Sequence, residues 1–357
     1  MTIVNTWTQE FSYFPNIKRI NHNKTQTMTV FQSISTNKIR ILVNNQYGRL
    51  PLEIKSIKII VADKTYDIKY NKKTSFSIAA KQSIWSDWLT VHLMENSYFK
   101  IQITAFNRSI HTLGSTISSD IISCDNYQSG ETSYFFGVSA IQADTSSLIE
   151  KLAFFGDSLT NQGTFTDALS KVMSKENIVT ANYGISGNRL LHKGNSTSKW
   201  SSSFGPAGID RFQKMIDEFC PNTIVLLEGT NDLMQPGTGT PLKELPTGEE
   251  YIAGLKGIEK TCQKNNIKLI CLTIPPFKGS IIDGIAAWNP DKENIRIQIN
   301  NYILEIPHSI DLATFVSNDE QTQLSDEFDC GDHAHFSKAG GKLIAQFLEN
   351  SLNGLYV

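Results

Sequence analysis

From Lys151 onward, apolar runs and helical periodicity take turns. The runs LAFFG, IVTANYG, TIVLLEG, KLICLTIPP and SIDLATF are separated by helical patterns near residues 165–175, 206–219, 249–265, 290–305 and 337–352. Few architectures accept that order. Short apolar runs without polar alternation suit strands buried on both faces, and the helices between them must cross over, so this segment predicts a parallel sheet covered by helices on both sides. In such sheets ligands bind beyond the carboxyl ends of the strands. The residues that follow each run are therefore where chemistry is to be sought.

The region before Lys151 obeys a different rule. From residue 28 to about 143 the segments MTVFQSI, KIRILVNN, IKSIKIIVA, TYDIKY, TSFSIAA, DWLTVHLM and YFKIQITAF are rich in Ile, Val, Phe, Tyr and Thr, and turn signals such as NNQYG, YNKK and NRS break them. That grammar predicts an all-β sandwich domain over residues 1–143. The polar stretch DTSSLIE, residues 144–150, is the expected linker, and residues 151–357 form the expected second domain. A chain of 357 residues, 40% of them hydrophobic, can bury two cores.

Charge and cysteine usage narrow the partners. Lys and Arg number 33 against 35 Asp and Glu, a net charge of -2, without the basic excess that a phosphate backbone demands, so nucleic acid is not an expected partner. The N-terminus MTIVNTWTQEFSYFP has neither a basic nor an apolar signal region, and no window approaches an apolar span of about 20 residues. Cysteines at 124, 220, 262, 271 and 330 are odd in number and scattered, which suits neither a disulfide framework nor zinc. The expectation is a cytoplasmic protein with no membrane span.

Small and polar clusters stand at the run ends. Gly156, Asp157 and Ser158 follow the first run; Gly184-Ile185-Ser186-Gly187-Asn188-Arg189 follow the second; Gly229-Thr230-Asn231-Asp232 follow the third; Gly331-Asp332-His333-Ala334-His335 occupy the last loop. A serine after a strand is usually a helix cap. A hydroxyl, an amide and an Asp/His pair on one edge are also what nucleophilic acyl transfer requires. Serine needs a base within hydrogen-bond reach, and the base needs a third group to fix its tautomer. Asp332 and His335 can supply both, while the Asn231 amide and the N–H groups of Ser158 and Gly187 are candidate donors to an oxyanion. Asp157 and Asp232 read as a turn-bonding residue and a loop anchor.

Four blocks, FFGDSLT, YGISGNR, LEGTND and DHAH, stand in the order found in the SGNH hydrolases, also called GDSL esterases or lipases, and the second half of the chain resembles that family. The resemblance implies a flavodoxin-like three-layer α/β/α fold and no cofactor or metal. It also implies Ser158 as nucleophile, Asp332 and His335 as the rest of a triad, and an oxyanion hole of Ser158 N–H, Gly187 N–H and the Asn231 amide. The stretch KIRILVNNQYGRLPLEI, residues 38–54, is similar to the β-rich domain that precedes the hydrolase domain in a subgroup of bacterial GDSL proteins. The serine lies in G-D-S-L and not in G-x-S-x-G, which argues against an α/β-hydrolase elbow. DHAHFS holds two histidines: spacing to Asp332 favours His335, with His333 the alternative base. Zinc on Asp332, His333 and His335 would need a further ligand from another loop and would leave the serine block unexplained.

Specificity is expected from the long loops 189–206, 233–248 and 277–290. Trp200, Trp288 and Arg189 are the candidate substrate contacts; each indole could stack on a polar ring or plug the junction between domains. Only IIDGIAAW and the Leu233-Met234 pair offer apolar material for an acyl groove. The expected activity is a short-chain esterase or O-acetyl carbohydrate deacetylase working through an acyl-enzyme on a small-molecule or carbohydrate ester. The alternatives are a lipase, lysophospholipase or thioesterase acting on longer chains, and an inactive carbohydrate-binding protein on the same fold.

Overall fold

A computed structural model describes residues 2–17, 24–117, 120–125, 128–129 and 131–353. The chain divides into two compact units, residues 1–150 with 170–181, and residues 151–169 with 182–357.

The first unit is built from two antiparallel sheets. One has eight strands, with Ser12–Tyr13, Thr112–Thr116, Thr132–Thr145, Thr36–Asn44 and Ser83–Trp85 in spatial order; Thr2–Thr8 and Gln128–Ser129 also pair with Thr132–Thr145, and Leu89–Leu93 with Thr36–Asn44. The other has six, in the order Ile122–Asp125, Lys24–Gln32, Ser97–Ala105, Leu52–Val61 and Lys64–Ile68, with Phe76–Ile78 beside Leu52–Val61. Alternation explains the core: Ile39, Ile41 and Val43 are fully buried in one sheet and Ile57, Ile59, Ile101 and Ile103 in the other. The sheets meet face to face, so closely that a Cβ on Gly137 would lie 2.3 Å from Ile103 Cδ1. The expected linker begins and ends as strand: Asp144 and Thr145 pair with Ile3 and Thr2, and Glu150 opens the next strand. Thr132–Thr145 is a long central strand whose buried residues, including Gly137 and Ser139, lack the alternation that marks a half-exposed one.

A parallel sheet, most of it in the second unit, has the order Ile178–Gly184, Glu150–Gly156, Thr223–Leu227, Lys268–Cys271. Strands from both directions of the order flank Glu150–Gly156, and its carboxyl end is the switch point at which such sheets bind ligands. Helices lie on both faces. Phe155 meets Phe212 of helix Gly208–Phe219 with ring centroids 5.1 Å apart. Its neighbour Phe154, pointing the other way, meets Phe165 at 6.1 Å, ahead of helix Thr166–Met173. Helix Gly248–Lys264 opens with a capping box of Thr247 and Glu250, and Pro290–Glu305 opens with Asn289 as cap and Pro290 in its first turn. The fold is thus a β domain followed by a three-layer α/β domain.

The fifth apolar run departs from expectation. SIDLATF makes a single parallel bridge, Ile310 to Leu272, and then turns into helix Leu312–Val316. Asp311 causes the switch: its carboxylate accepts from Thr314 N–H and from Thr273 Oγ1, capping a helix where a strand would have continued. Among the described residues no helix is long and apolar enough to cross a membrane.

Candidate active site

The small residue that ends the first strand is required by contact. A Cβ on Gly156 would stand 2.0 Å from Leu227 O of the neighbouring strand. Asp157 then caps the short helix Ser158–Asn161, its Oδ1 accepting from Leu159 N–H at 3.0 Å. The cap places Ser158 in the first turn, only 8% exposed. Neither its N–H nor that of Gly187 makes a hydrogen bond to the described residues.

Ser158 Oγ lies 2.8 Å from His335 Nε2, and His335 Nδ1 lies 2.6 Å from Asp332 Oδ2. The other Asp332 oxygen accepts from the N–H groups of Ala334 and His335 at 3.0 and 2.8 Å. With a carboxylate on Nδ1, the proton of a neutral ring sits there and Nε2 accepts from the serine. Burial would raise the Asp332 carboxyl, but the His335 ring and the two N–H donors outweigh it and hold the group well below the usual carboxylate range. Burial also disfavours charge on His335, yet Asp332, Asp157 and Asp329 together lift its pKa above the ordinary value. His333 is turned elsewhere: its Nδ1 pairs with Asp329 Oδ2 at 2.6 Å. Asp332 and His335 are engaged with each other and His333 with Asp329.

Asn231 sits in helix Thr230–Met234 after the third strand. Its Nδ2 donates to Asp157 Oδ2 at 3.2 Å, so one amide proton is fixed and the other remains for a ligand. Gly187 adopts φ +78°, and a Cβ there would lie 2.1 Å from the Phe204 ring, so no other residue fits. Ser158, Gly187 and Asn231 thus follow the first three strands of the sheet in chain order.

A buried polar frame supports these residues; the sequence points to Asp157 and Asp232 as turn and loop anchors in it, and sequence reasoning missed Arg211 and Glu228. Arg211 donates to Gly156 O at 2.8 Å, Tyr183 O at 2.6 Å and Asn188 Oδ1 at 2.7 Å, tying together two strand ends and a loop. Its guanidinium stacks on Phe155 and pairs with Glu228 Oε2 at 3.4 Å. Asp232 accepts from Leu190 and Leu191 N–H, anchoring the loop after the second strand. Burial pushes Asp157 up to about 6 and Asp232 up to about 7, and drives Glu228 well above its ordinary value. The one signal in sequence was an arginine on the apolar face of a helical pattern, where charge is expensive unless paired.

The three expected substrate contacts are placed differently. Arg189 is 1% exposed, and its terminal nitrogens bond Glu244 Oε2, Lys193 O and Asn195 Oδ1. It staples loop 189–206 to loop 233–248 and does not present its guanidinium to a ligand, which corrects the sequence expectation. Trp288 is half-buried, with Nε1 bonded to Glu293 Oε2 at 3.0 Å and Lys278 over its ring. Trp200 is half-buried beside Lys199. Lys292, unforeseen, buries its amine against Met234 O, Pro236 O and Ala287 O, joining loops 233–248 and 277–290; burial lowers it to about 8.

The model of the GDSL-like lipase/acylhydrolase family matches residues 152–348, more than half of the chain. The chain belongs to this family. Solved structures similar to this GDSL chain include a GDSL-like lipase from Bacteroides thetaiotaomicron, 14% identical, covering 58% of this chain and 89% of that one with a TM-score of 0.42. A lipase/acylhydrolase from Enterococcus faecalis is 19% identical, with 58% and 96% covered and a TM-score of 0.41. An acetyl xylan esterase is 21% identical, with 57% and 99% covered and a TM-score of 0.40. Among curated proteins none matches the chain significantly.

Proposed function

We propose that this GDSL protein is a serine ester hydrolase that works through an acyl-enzyme on short acyl groups. The observation that carries the reading is the relay from Asp332 through His335 to Ser158, with contacts of 2.6 and 2.8 Å. In the forward step Ser158 Oγ attacks the ester carbon while His335 Nε2 takes its proton, and the carbonyl electron pair moves onto oxygen. Ser158 N–H, Gly187 N–H and the free Asn231 amide proton receive that oxyanion. When the intermediate collapses, the C–O bond to the alcohol breaks and His335 returns its proton to the leaving oxygen. Water, deprotonated by His335, then repeats the attack on acyl-Ser158, releasing the acid and restoring the hydroxyl.

The short-chain assignment is supported by the fate of the apolar material at the rim. Leu233 and Met234 are core residues, 0% and 6% exposed, and Ala287 is buried as well. Loops 189–206 and 233–248 are otherwise rich in Ser, Thr and Gly, which suits an acetyl group on a polar carrier such as a carbohydrate. One observation favours the longer-chain alternative. Ile281 and Ile285, on the small hairpin after the fourth strand, are 69% and 49% exposed and could meet an acyl chain.

Hydrolysis of p-nitrophenyl acetate and p-nitrophenyl palmitate by wild type and Ser158→Ala, with circular dichroism on both, tests the reading. Acetate turnover that disappears in a folded Ser158→Ala variant is the expected result. Preference for palmitate would move the substrate to lipids, and no turnover by folded wild type would leave a binding protein.

A further inference from the structure

Two of the groups assigned above to the oxyanion hole, Gly187 and Asn231, follow different strands, Ile178–Gly184 and Thr223–Leu227, and one side chain bridges them. Gln235 Nε2 donates to Gly187 O at 2.8 Å and to Asn231 Oδ1 at 3.1 Å. We infer that Gln235 is a positioning residue that locks the Asn231 amide and the Gly187 backbone into one rigid oxyanion-binding unit. The inference rests on the hydrolase reading of this site and adds a residue that the four sequence blocks do not contain.

The bonding inventory leaves little freedom. The Asn231 carboxamide is held at both ends, Nδ2 on Asp157 Oδ2 and Oδ1 on Gln235 Nε2, which fixes both its rotamer and its sense. Rotating it by half a turn would set Nδ2 against Nε2 and Oδ1 against the Asp157 carboxylate, so the second Nδ2 proton keeps one direction. Gly187, whose φ of +78° no side chain enforces, is gripped on its carbonyl side, opposite the N–H it would donate. Gln235 is itself held: it is 4% exposed, and its backbone O accepts from the N–H groups of Thr238, Gly239 and Thr240. Both its amide protons are committed, while Oε1 is buried without a partner. An unpartnered buried carbonyl oxygen is a cost to folding, and an apolar side chain of the same shape would avoid it. What the amide adds is preorganisation, which acts where charge develops in the transition state.

The test is a double-mutant cycle of Gln235→Met and Asn231→Ala on p-nitrophenyl acetate, with thermal melts and affinity for a phenylboronic acid, whose adduct with Ser158 mimics the tetrahedral oxyanion. Gln235→Met should lower kcat roughly 10- to 100-fold, with KM within about twofold, and weaken boronate binding in parallel. In the Asn231→Ala background the same change should cost clearly less than in wild type, because one of its two targets is gone while the bond to Gly187 O remains. Gln235→Glu, which as a carboxylate cannot donate and when protonated donates only once, should also lose activity and serves if Gln235→Met does not fold. Full kcat in a folded Gln235 variant, when Asn231→Ala alone is impaired, would overturn the role of Gln235 only. Strict additivity would do the same. Full kcat in Asn231→Ala would overturn the oxyanion assignment and the role of Gln235 with it.

Discussion

His335 Nε2 lies 2.8 Å from Ser158 Oγ, although 177 positions of chain separate the two residues. The serine stands at the carboxyl end of a central strand and the histidine on the last loop, so the sheet must be assembled before the pair exists. The imidazole accepts a proton only when neutral, and Asp332, Asp157 and Asp329 hold its pKa above the ordinary value against the opposing effect of burial. The kcat/KM for ester hydrolysis should therefore rise with pH through an apparent pKa above about 6.5. A pH–rate profile from about 5 to 9 checks this, and a midpoint below about 6.5 would contradict the geometry.

Asp332→Asn should keep the fold, because half of Asp332 lies in solvent and the replacement still offers one oxygen to the Ala334 and His335 N–H groups. What it loses is the charge on His335 Nδ1. The ring is then free to take the other tautomer, with a proton on Nε2 facing Ser158. The expected fall in kcat is roughly 10²- to 10⁴-fold, accompanied by a downward shift of the pH–rate midpoint. A fall in rate with an unmoved midpoint would mean that Asp332 acts on something other than the imidazole.

Gly187→Ala probes the hole from the backbone side. At φ +78° any Cβ is strained, and this one would lie 2.1 Å from the Phe204 ring. The loop must shift, taking the N–H with it. Activity should drop roughly 10²- to 10³-fold, the scale for losing one oxyanion donor. Combining it with Phe204→Ala removes the collision but not the strain, so recovery should be partial. Full recovery in the double variant would show that φ at this position is unimportant.

Local signals explain what could be read in advance. Ser158, Gly187 and Asn231 stand where the sequence places them, each after an apolar run that is a strand, and the run ends are marked by Gly156, Gly184 and Gly229. Helix positions were legible from period: Pro290–Glu305 coincides with the expected 290–305. What failed is what depends on a distant partner. Arg189 looked like a ligand contact because nothing local reveals Glu244, 55 positions away, as its partner. Arg211 stands out as a charge on an apolar helical face, but nothing near it or near Gln235 reveals their distant partners Asn188 and Gly187. SIDLATF reads as strand on hydrophobicity, whereas the Asp311 cap decides for helix. Thr2–Thr8 and Thr132–Thr145 escaped because a sheet centre and its partner need not alternate.

Arg211→Met removes the donor to three acceptors at once, Gly156 O, Tyr183 O and Asn188 Oδ1, and leaves Glu228 without its buried cation. The stem and volume are nearly kept, so the loss is electrostatic. Destabilisation of about 3–5 kcal/mol is expected, the range for breaking a buried pair from one side. Urea unfolding of wild type and variant measures it. A change below about 1 kcal/mol would show that water replaces the guanidinium in the frame.

The buried acids set the direction in which pH moves stability. Burial raises Asp157 from 3.8 to about 6 and Asp232 from 3.8 to about 7, and Glu228 well above its ordinary value. A carboxyl with a raised folded-state pKa holds its proton more tightly in the folded chain than in the unfolded one. Stability is then greatest where these groups are protonated and falls as pH rises through about 4 to 7, by about 1.4 kcal/mol per group per unit within its window. His335, also raised, acts in the same sense, since its stabilisation is lost as pH climbs through its folded pKa. The Asp332 carboxyl, lowered, opposes them only on the acid side of about pH 4. Urea midpoints should therefore decline from about pH 5 to about pH 8. Asp232→Asn, which cannot ionise, should flatten the upper part of that decline even though it weakens the grip on Leu190 and Leu191. Midpoints that rise over the same interval would mean that these carboxylates are ionised and fully compensated in the folded protein, with Arg211 and the backbone donors outweighing their burial.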